Sequence, residues 1–326
     1  MRAGHGVAAW VALAALVGSA GWGVSARAQG GEAAGVVTEI KVGRGRVEVR
    51  PAGSAAWRPA GPLQSLRPGD QVRATGNAAA VVLLAGGRGS VRVDAAASPY
   101  TVPAPASGPG PTQKALQLLQ ASLGFLAQSG RESPTAVLAT RGVSKPPVIL
   151  GPRNGPVLPG PLAIEWVGSR VARYALRITG PGGVVLERAE VAGARFEYPP
   201  DGPRLASGVR YTVQVTARGH PPEQAWFEVV DAARGQAIRQ DLAGVEQALG
   251  PGASTSTMAA VRVGLLASQG LFSDARAALA VALAKDPEEP TLHLLLGQIF
   301  ARLGLAEQAA QAYEEAQVLS TRGRTE

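Results

Sequence analysis

Apolar and polar residues alternate in short runs from Gly35 to Val93: Val36 to Val42, Val47-Glu48-Val49-Arg50, Val72, Ala80 to Leu84, and Val91-Arg92-Val93. A period of two predicts strands with one face inward. The separators are turn residues, namely Gly43 to Gly45, Gly53, Pro68-Gly69-Asp70 and Gly86-Gly87-Arg88-Gly89. In Leu66 to Arg73 the proline presets one turn angle, the glycine supplies positive φ, and Val72 opens the next strand. Trp57, the large aromatic of this stretch, is expected to plug the end of a small barrel or sandwich. Ala95 to Pro111 is proline, alanine and glycine, which predicts a linker or an extended edge. A helix capped by Thr112 follows, with Ala115, Leu116, Leu118, Leu119, Leu123 and Leu126 at helical period and Phe125 beside them. It is expected to pack on the β domain, with partner binding as the alternative.

Strand signals return from Val148 to Val230. Trp166 sits on an early strand, Arg173 to Ile178 alternates, and Leu205-x-x-Gly208-x-x-Tyr211 has the spacing of a tyrosine corner, whose phenol bonds to upstream backbone. From Asp231 onward the pattern is helical. Ile238, Leu242, Val245 and Leu249 share one side of a first helix that ends at Gly250-Pro251. A period of about 34 residues then pairs Gly270 with Gly304, Ala275 with Ala309, Leu279 with Tyr313 and Ala282 with Ala316.

Four resemblances are carried by residues along the chain. Gly45-x-Val47-x-Val49, Trp57, Leu66-x-x-Gly69-Asp70-x-Val72-Arg73, Ala80-x-Val82-x-Leu84 and the glycine hairpin before Val91-x-Val93 resemble the FecR-type β domain of exported bacterial proteins. Ser133 to Gly142 is similar to the segment that closes such domains as a final strand. The resemblance implies a fold and an envelope location; it brings no catalytic residues, and the chain lacks the cytoplasmic segment of the founding signalling members. Trp166, Tyr174 and Leu205 to Val215 resemble a fibronectin type III or immunoglobulin-like sandwich. The 34-residue period, with Leu296-Gly297, Phe300 and Pro287, resembles tetratricopeptide repeats. The order Arg141-Gly142, Pro152-Arg153, Trp166, Tyr198-Pro199, Leu205, Tyr211, then helices, is similar to a group of exported cyanobacterial proteins. The expected fold class is a multidomain β-then-α chain: signal peptide 1–28, FecR-like β domain with linker and inserted helix 29–143, sandwich 144–230, and antiparallel helical repeats 231–326.

Composition changes the picture in three ways. Arg2 and His5, the apolar run Val7 to Val17, and Ala26-Arg27-Ala28 read as a cleavable export signal, with an uncleaved anchor as the alternative. This places the chain in the periplasm or cell envelope, with no transmembrane span after cleavage. The absence of cysteine removes disulfides and thiolate metal sites. The net charge of +8 is uneven, basic over the β part and acidic over the helices.

The chemistry-bearing residues are sparse. His5, His220 and His293 are the histidines, and no nucleophile elbow, phosphate loop or metal-ligand spacing is present, so a non-enzyme without cofactor or metal is expected. Asp286, Glu288 and Glu289 read as an acidic loop between repeats rather than a cation site. The leading function is a scaffold that binds a protein partner through the repeats, with His293, Leu296, Phe300 and Tyr313 as candidate contacts. The alternative is a binder of peptidoglycan or acidic polysaccharide through Arg44, Arg46, Arg50, Arg58, Arg73, Arg88 and Arg92. Nucleic acid is not expected, because export and sparse aromatics oppose it.

Overall fold

The computed structural model describes residues 33–105, 113–129, 146–168, 172–250 and 252–321. The export signal, the Thr112 cap, Pro251 and the Ser133 to Gly142 segment lie outside these. The first β module contains β1 (Gly35–Lys41), β2 (Val47–Arg50), β3 (Arg58–Pro59), β4 (Ser65–Leu66), β5 (Gln71–Ala74), β6 (Ala79–Leu84), β7 (Ser90–Val93) and β8 (Tyr100–Thr101). They form two four-stranded sheets, ordered β4-β1-β6-β7 and β3-β2-β5-β8. Val37, Val47, Val49, Leu66, Val72, Val82 and Val93 fill the space between. Gly69 takes φ +85° in the Pro68-Gly69-Asp70 turn, as its sequence requires. The Asp70 carboxylate accepts the Arg67 and Ala52 N–H groups at 2.8 and 2.9 Å, locking that turn to the end of β2. The Ala95 to Pro111 stretch contributes β8, an edge strand on β5.

Two expectations are corrected here. Trp57 is not a core plug; it is half-buried on the outer side of the β2-β5 sheet, under the guanidinium groups of Arg50 and Arg73, 4.9 and 4.2 Å from its ring centroid. Nor do β1 and β6 keep one face for solvent. Residues Gly35 to Ile40 of β1 and all of β6 are buried, because helices cover the outer face of their sheet.

The second β module is a sandwich of β9 (Val148–Gly151), β10 (Gly155–Val157), β11 (Ala163–Val167), β12 (Arg173–Gly180), β13 (Gly183–Ala192), β14 (Arg195–Glu197), β15 (Arg210–Ala217) and β16 (Glu223–Val229). A five-stranded sheet, β10-β16-β15-β12-β13, faces a three-stranded one, β14-β11-β9. Trp166 lies edge-on to Tyr174 at 5.3 Å in the core, and Tyr211 stacks on Phe227. The tyrosine corner forms: the Ala206 N–H donates to the Tyr211 hydroxyl at 2.7 Å.

The helices are α1 (Gln113–Ser129), α2 (Ala232–Leu249), α3 (Thr255–Ser268), α4 (Phe272–Lys285), α5 (Pro290–Arg302) and α6 (Ala306–Thr321). Asp231 caps α2 by accepting the Arg234 N–H at 2.8 Å. Gly270 and Gly304, one period apart, turn α3 into α4 and α5 into α6 with φ of 78° and 76°. Ala275, Ala282, Ala309 and Ala316 are buried where these helices approach. The chain is therefore β over 35–229 and helical repeats over 232–321, with α1 inserted between the β modules in sequence. Among the described residues no helix is long and apolar enough to cross a membrane.

The described residues from 33 to 321 form one compact body. α1 packs chiefly on α3, and also on α2, α5 and β1, so it joins the helical layer rather than lying on the β domain alone. The sandwich docks on α4. Arg153 ties the two together: its N–H donates to Ser273 at 3.1 Å, and its guanidinium donates to the carbonyls of Leu303 and Ile149 and pairs with Glu223 at 2.7 Å. Arg276 of α4 pairs with Glu165 of β11. Asp274 accepts the Leu158 N–H at 3.2 Å, and burial raises its carboxyl to about 6.

Candidate functional site

α3 and α5 are the first helices of the two hairpins, and one face of the pair is occupied by the chain itself. β1 lies across their N-terminal ends. Its Glu39 carboxylate accepts both the Thr257 N–H at 3.1 Å and the Thr257 hydroxyl at 2.7 Å, supplementing the Ser254 cap of α3. A carboxylate suits this place, because free amides and the helix dipole favour negative charge there. The Thr38 and Thr257 hydroxyls are 2.9 Å apart.

Glu289 plays the matching role on α5. Its Oε1 accepts the Thr291 N–H of its own helix and the Ile40 N–H of β1, both at 3.3 Å. Its Oε2 has no partner among the described residues. Burial pushes this carboxyl up to about 7; hydrogen bonds from Thr291 and Ile40 oppose the rise and the nearby Glu39 adds to it. Asp286 accepts from Lys41 at 2.6 Å and from Ser256 at 3.0 Å. The acidic stretch between the repeats is thus a dock for β1 rather than a solvated loop. Among the described residues no cluster of three or more His, Cys, Asp or Glu side chains could hold a metal ion.

α1 covers the adjoining part of the same face. Leu123, Leu126 and Ala127 are buried in a core shared with Val261, Leu265, Leu295 and Ile299, and Leu118 and Phe125 pack at its margin. The backbones approach closely at one point: a Cβ on Gly264 would lie 3.0 Å from the Ser122 carbonyl oxygen and 3.1 Å from its Cα. Gln298 of α5 donates through Nε2 to the Ser129 carbonyl at 3.3 Å.

The candidate contacts chosen from sequence occupy other positions. Phe300 is 8% exposed in the core, and the Tyr313 ring fills the hollow at Gly297, where a Cβ would lie 2.4 Å from the ring. Leu296 is half-buried against the same core. The His293 ring nitrogen is 2.7 Å from the Pro287 carbonyl, fastening the start of α5 to the loop before it. These residues hold the hairpin together. Among the residues that meet β1 and α1 are Thr257, Gly264, Asp286, Glu289 and Gln298. The cover on β1 and β6 does leave a sequence signal: Val36, Val37, Thr38 and Ile40 place β-branched residues at both parities, and Ala79 to Leu84 is apolar throughout, which is how strands read when covered on both faces.

Residues 265–323 match the tetratricopeptide repeat family. No curated protein matches the chain. The matched span covers the end of α3 and all of α4, α5 and α6. Most of α3 lies before it, yet α3 forms the first helical hairpin with α4 and carries Thr257 and Gly264. Tetratricopeptide repeats commonly mediate protein–protein interaction, and their stacked helices offer an extended surface for it.

The arginines of the β part divide between sheets. Arg50, Arg58 and Arg73 lie on β2, β3 and β5, where Arg50 and Arg73 stack on Trp57. Arg73 pairs with Glu48 at 2.8 Å, and the Arg50 guanidinium donates to Gln71. Arg44 and Arg46 are exposed in the β1–β2 connection, while Arg88 and Arg92 belong to the β6–β7 hairpin of the other sheet.

Proposed function

We propose that this protein is a non-enzymatic scaffold of the bacterial periplasm or cell envelope that binds protein partners through its tetratricopeptide repeats. The observation that carries the reading is the α3–α5 face, which holds a helix and a strand of the chain in the way a repeat surface holds a ligand. The finer assignments belong to the same proposal. The first β module is read as FecR-type, supported by its turn and strand order, and the second as fibronectin type III or immunoglobulin-like, supported by the Tyr211 corner and the three-against-five sandwich. Export follows from residues 1–28.

The test uses the full chain with a photo-crosslinking amino acid at one exposed position at a time. Val281 of α4 and Val318 of α6 are 62% and 39% exposed on the repeats, and Val184 of β13 is 56% exposed on the sandwich. Envelope extracts are expected to yield crosslinked proteins from the two helical positions that are absent from Val184. The same products from all three positions would remove the scaffold reading.

Trp57 favours a second reading, binding of an anionic glycan. An aromatic ring flanked by Arg50, Arg58 and Arg73 offers stacking area beside positive charge. Co-sedimentation with peptidoglycan is then expected at about 10 mM salt and lost near 1 M, where the screening length falls to about 3 Å. Trp57→Ala and Arg58→Gln should each weaken pelleting at low salt. Failure of the wild type to pellet at low salt ends this reading.

A further inference from the structure

The two occupants of the α3–α5 face are held differently. β1 is an interior strand, paired with β4 on one side and β6 on the other, so it cannot leave without dismantling its sheet. Thr38, Glu39 and Ile40 fix it further to the helix ends. α1 is a separate helix that commits one stripe. Ser122, Leu123, Leu126, Ala127 and Ser129 are buried, whereas Gln117, Gln120, Gly124 and Gln128 face solvent. It has no acidic residue in its first turn and no basic residue in its last, and it carries a glycine at mid-length. Its Ala, Leu and Gln residues favour helix, but at 17 residues and without supporting charges at its ends it draws the rest of its stability from its seat.

We infer that α1 is an exchangeable occupant of this face, and that the ligand replacing it is a partner protein's helix with an uncharged apolar stripe and a small residue opposite Gly264. This rests on the reading of the repeats as a protein-binding surface. The seat defines the ligand. Leu123, Leu126 and Ala127 sit at positions i, i+3 and i+4, one helical stripe. Where Ser122 crosses Gly264 the backbones are too close for a large side chain on either helix. A partner helix therefore needs Gly, Ala or Ser at the crossing, followed by the same apolar spacing. β1 remains as the fixed wall beside it.

The chain contains no cysteine, so Ser122→Cys with Gly264→Cys creates a single thiol pair. A Cβ at 264 lies 3.1 Å from the Ser122 Cβ, and disulfides hold these atoms about 3.8 Å apart, so a small outward shift closes the bridge. The probe is a fluorescent peptide of residues 113–129. The reduced double variant and the wild type are expected to bind it, and the oxidised form to bind at least about tenfold more weakly, a difference of about 1.4 kcal/mol. Equal binding by the two redox forms overturns the inference. Hydrogen exchange on the unmodified chain tests the same point without substitution: α1 amides should exchange at least about tenfold faster than those of α3 and α5, as expected of a helix that opens separately. Equal protection overturns it. A concentration-dependent dimer that appears only when the pair is reduced would assign the face to a second copy and also overturn it. Slow α1 exchange with specific crosslinking at Val281 and Val318 removes this inference alone, and the absence of crosslinked partners removes the scaffold reading and this inference with it.

Discussion

Gly45→Ala is expected to unfold the first β module at markedly lower urea concentration, with a loss on the order of 3–5 kcal/mol, in the range reserved for a buried clash or backbone strain. The β1–β2 and β5–β6 connections touch at this point. A Cβ on Gly45 would lie 1.8 Å from the Thr75 carbonyl oxygen, and one on Gly76 would lie 2.0 Å from that of Arg44. Both obstacles are backbone, so no side chain can swing aside. Around them Arg46 donates its N–H to the Thr75 hydroxyl at 3.0 Å, and Thr75 donates its N–H to the Arg46 carbonyl at 2.9 Å. Separating the two connections breaks these bonds as well.

Gly53→Ala is the control. It has φ +77° with nothing within 4 Å of the added atom, so it should cost only about 1 kcal/mol of left-handed backbone strain. Because the same separation relieves both clashes, Gly45→Ala with Gly76→Ala should cost less than the sum of the two. Similar urea midpoints for Gly45→Ala and Gly53→Ala would show that the approach is not as close as described.

The second large effect is on pH dependence. Glu289 and Asp274 have carboxyls raised from 4.5 to about 7 and from 3.8 to about 6, both chiefly by burial. A carboxyl whose folded value exceeds its unfolded one binds its proton more tightly when folded. Its contribution is complete below pH about 4 and is lost as pH rises through the folded values, between about 4 and 7. At about 1.4 kcal/mol per pH unit, each group can contribute about 3 kcal/mol. The chain should therefore melt at a higher temperature at pH 5 than at pH 8.

Glu39, Lys41 and Asp286 surround Glu289. The charge of Glu39 helps keep the Glu289 proton, and Glu39 itself is seated on the Thr257 donors. Glu289→Gln removes the charge while keeping an oxygen for the Ile40 and Thr291 amides. It is expected to raise the melting temperature at pH 8, leave it nearly unchanged at pH 5, and flatten the slope between. A lower melting temperature for this variant at pH 8 would mean that Glu289 is ionised and stabilising there.

What the sequence made legible was local. Gly69 is needed for the turn its neighbours specify, Tyr211 closes the loop its spacing announces, and Gly270 and Gly304 turn the chain where the repeat period puts them. Each of these rules acts within a few residues. The site was less legible because it joins elements that know nothing of each other in sequence: Glu39 meets Thr257 across a separation of 218 residues. A glutamate within a strand looks like an outward-facing position until helix ends are placed against it. The repeat signature drew the choice of contacts to Phe300 and Tyr313 for a related reason. Phe300 and Tyr313 recur because they pack one helix against the next, whereas Thr257, Gly264 and Gln298 follow from what this chain lays on its repeats. Trp57 suggests core because it is a large aromatic among short strands, whereas the register sets it on the outer side under two arginines.

The laying of β1 on the last helices also governs when the protein can finish folding. Thr38 and Thr257 are 219 residues apart, and at about 5–20 residues per second a ribosome needs roughly 10–45 s to travel between them. Throughout that interval α3 and α5 are missing from the outer face of the β1 and β6 sheet, and the capping carboxylate of Glu39 has no helix to cap. The amino-terminal half is held short of its native state until the carboxyl-terminal half arrives.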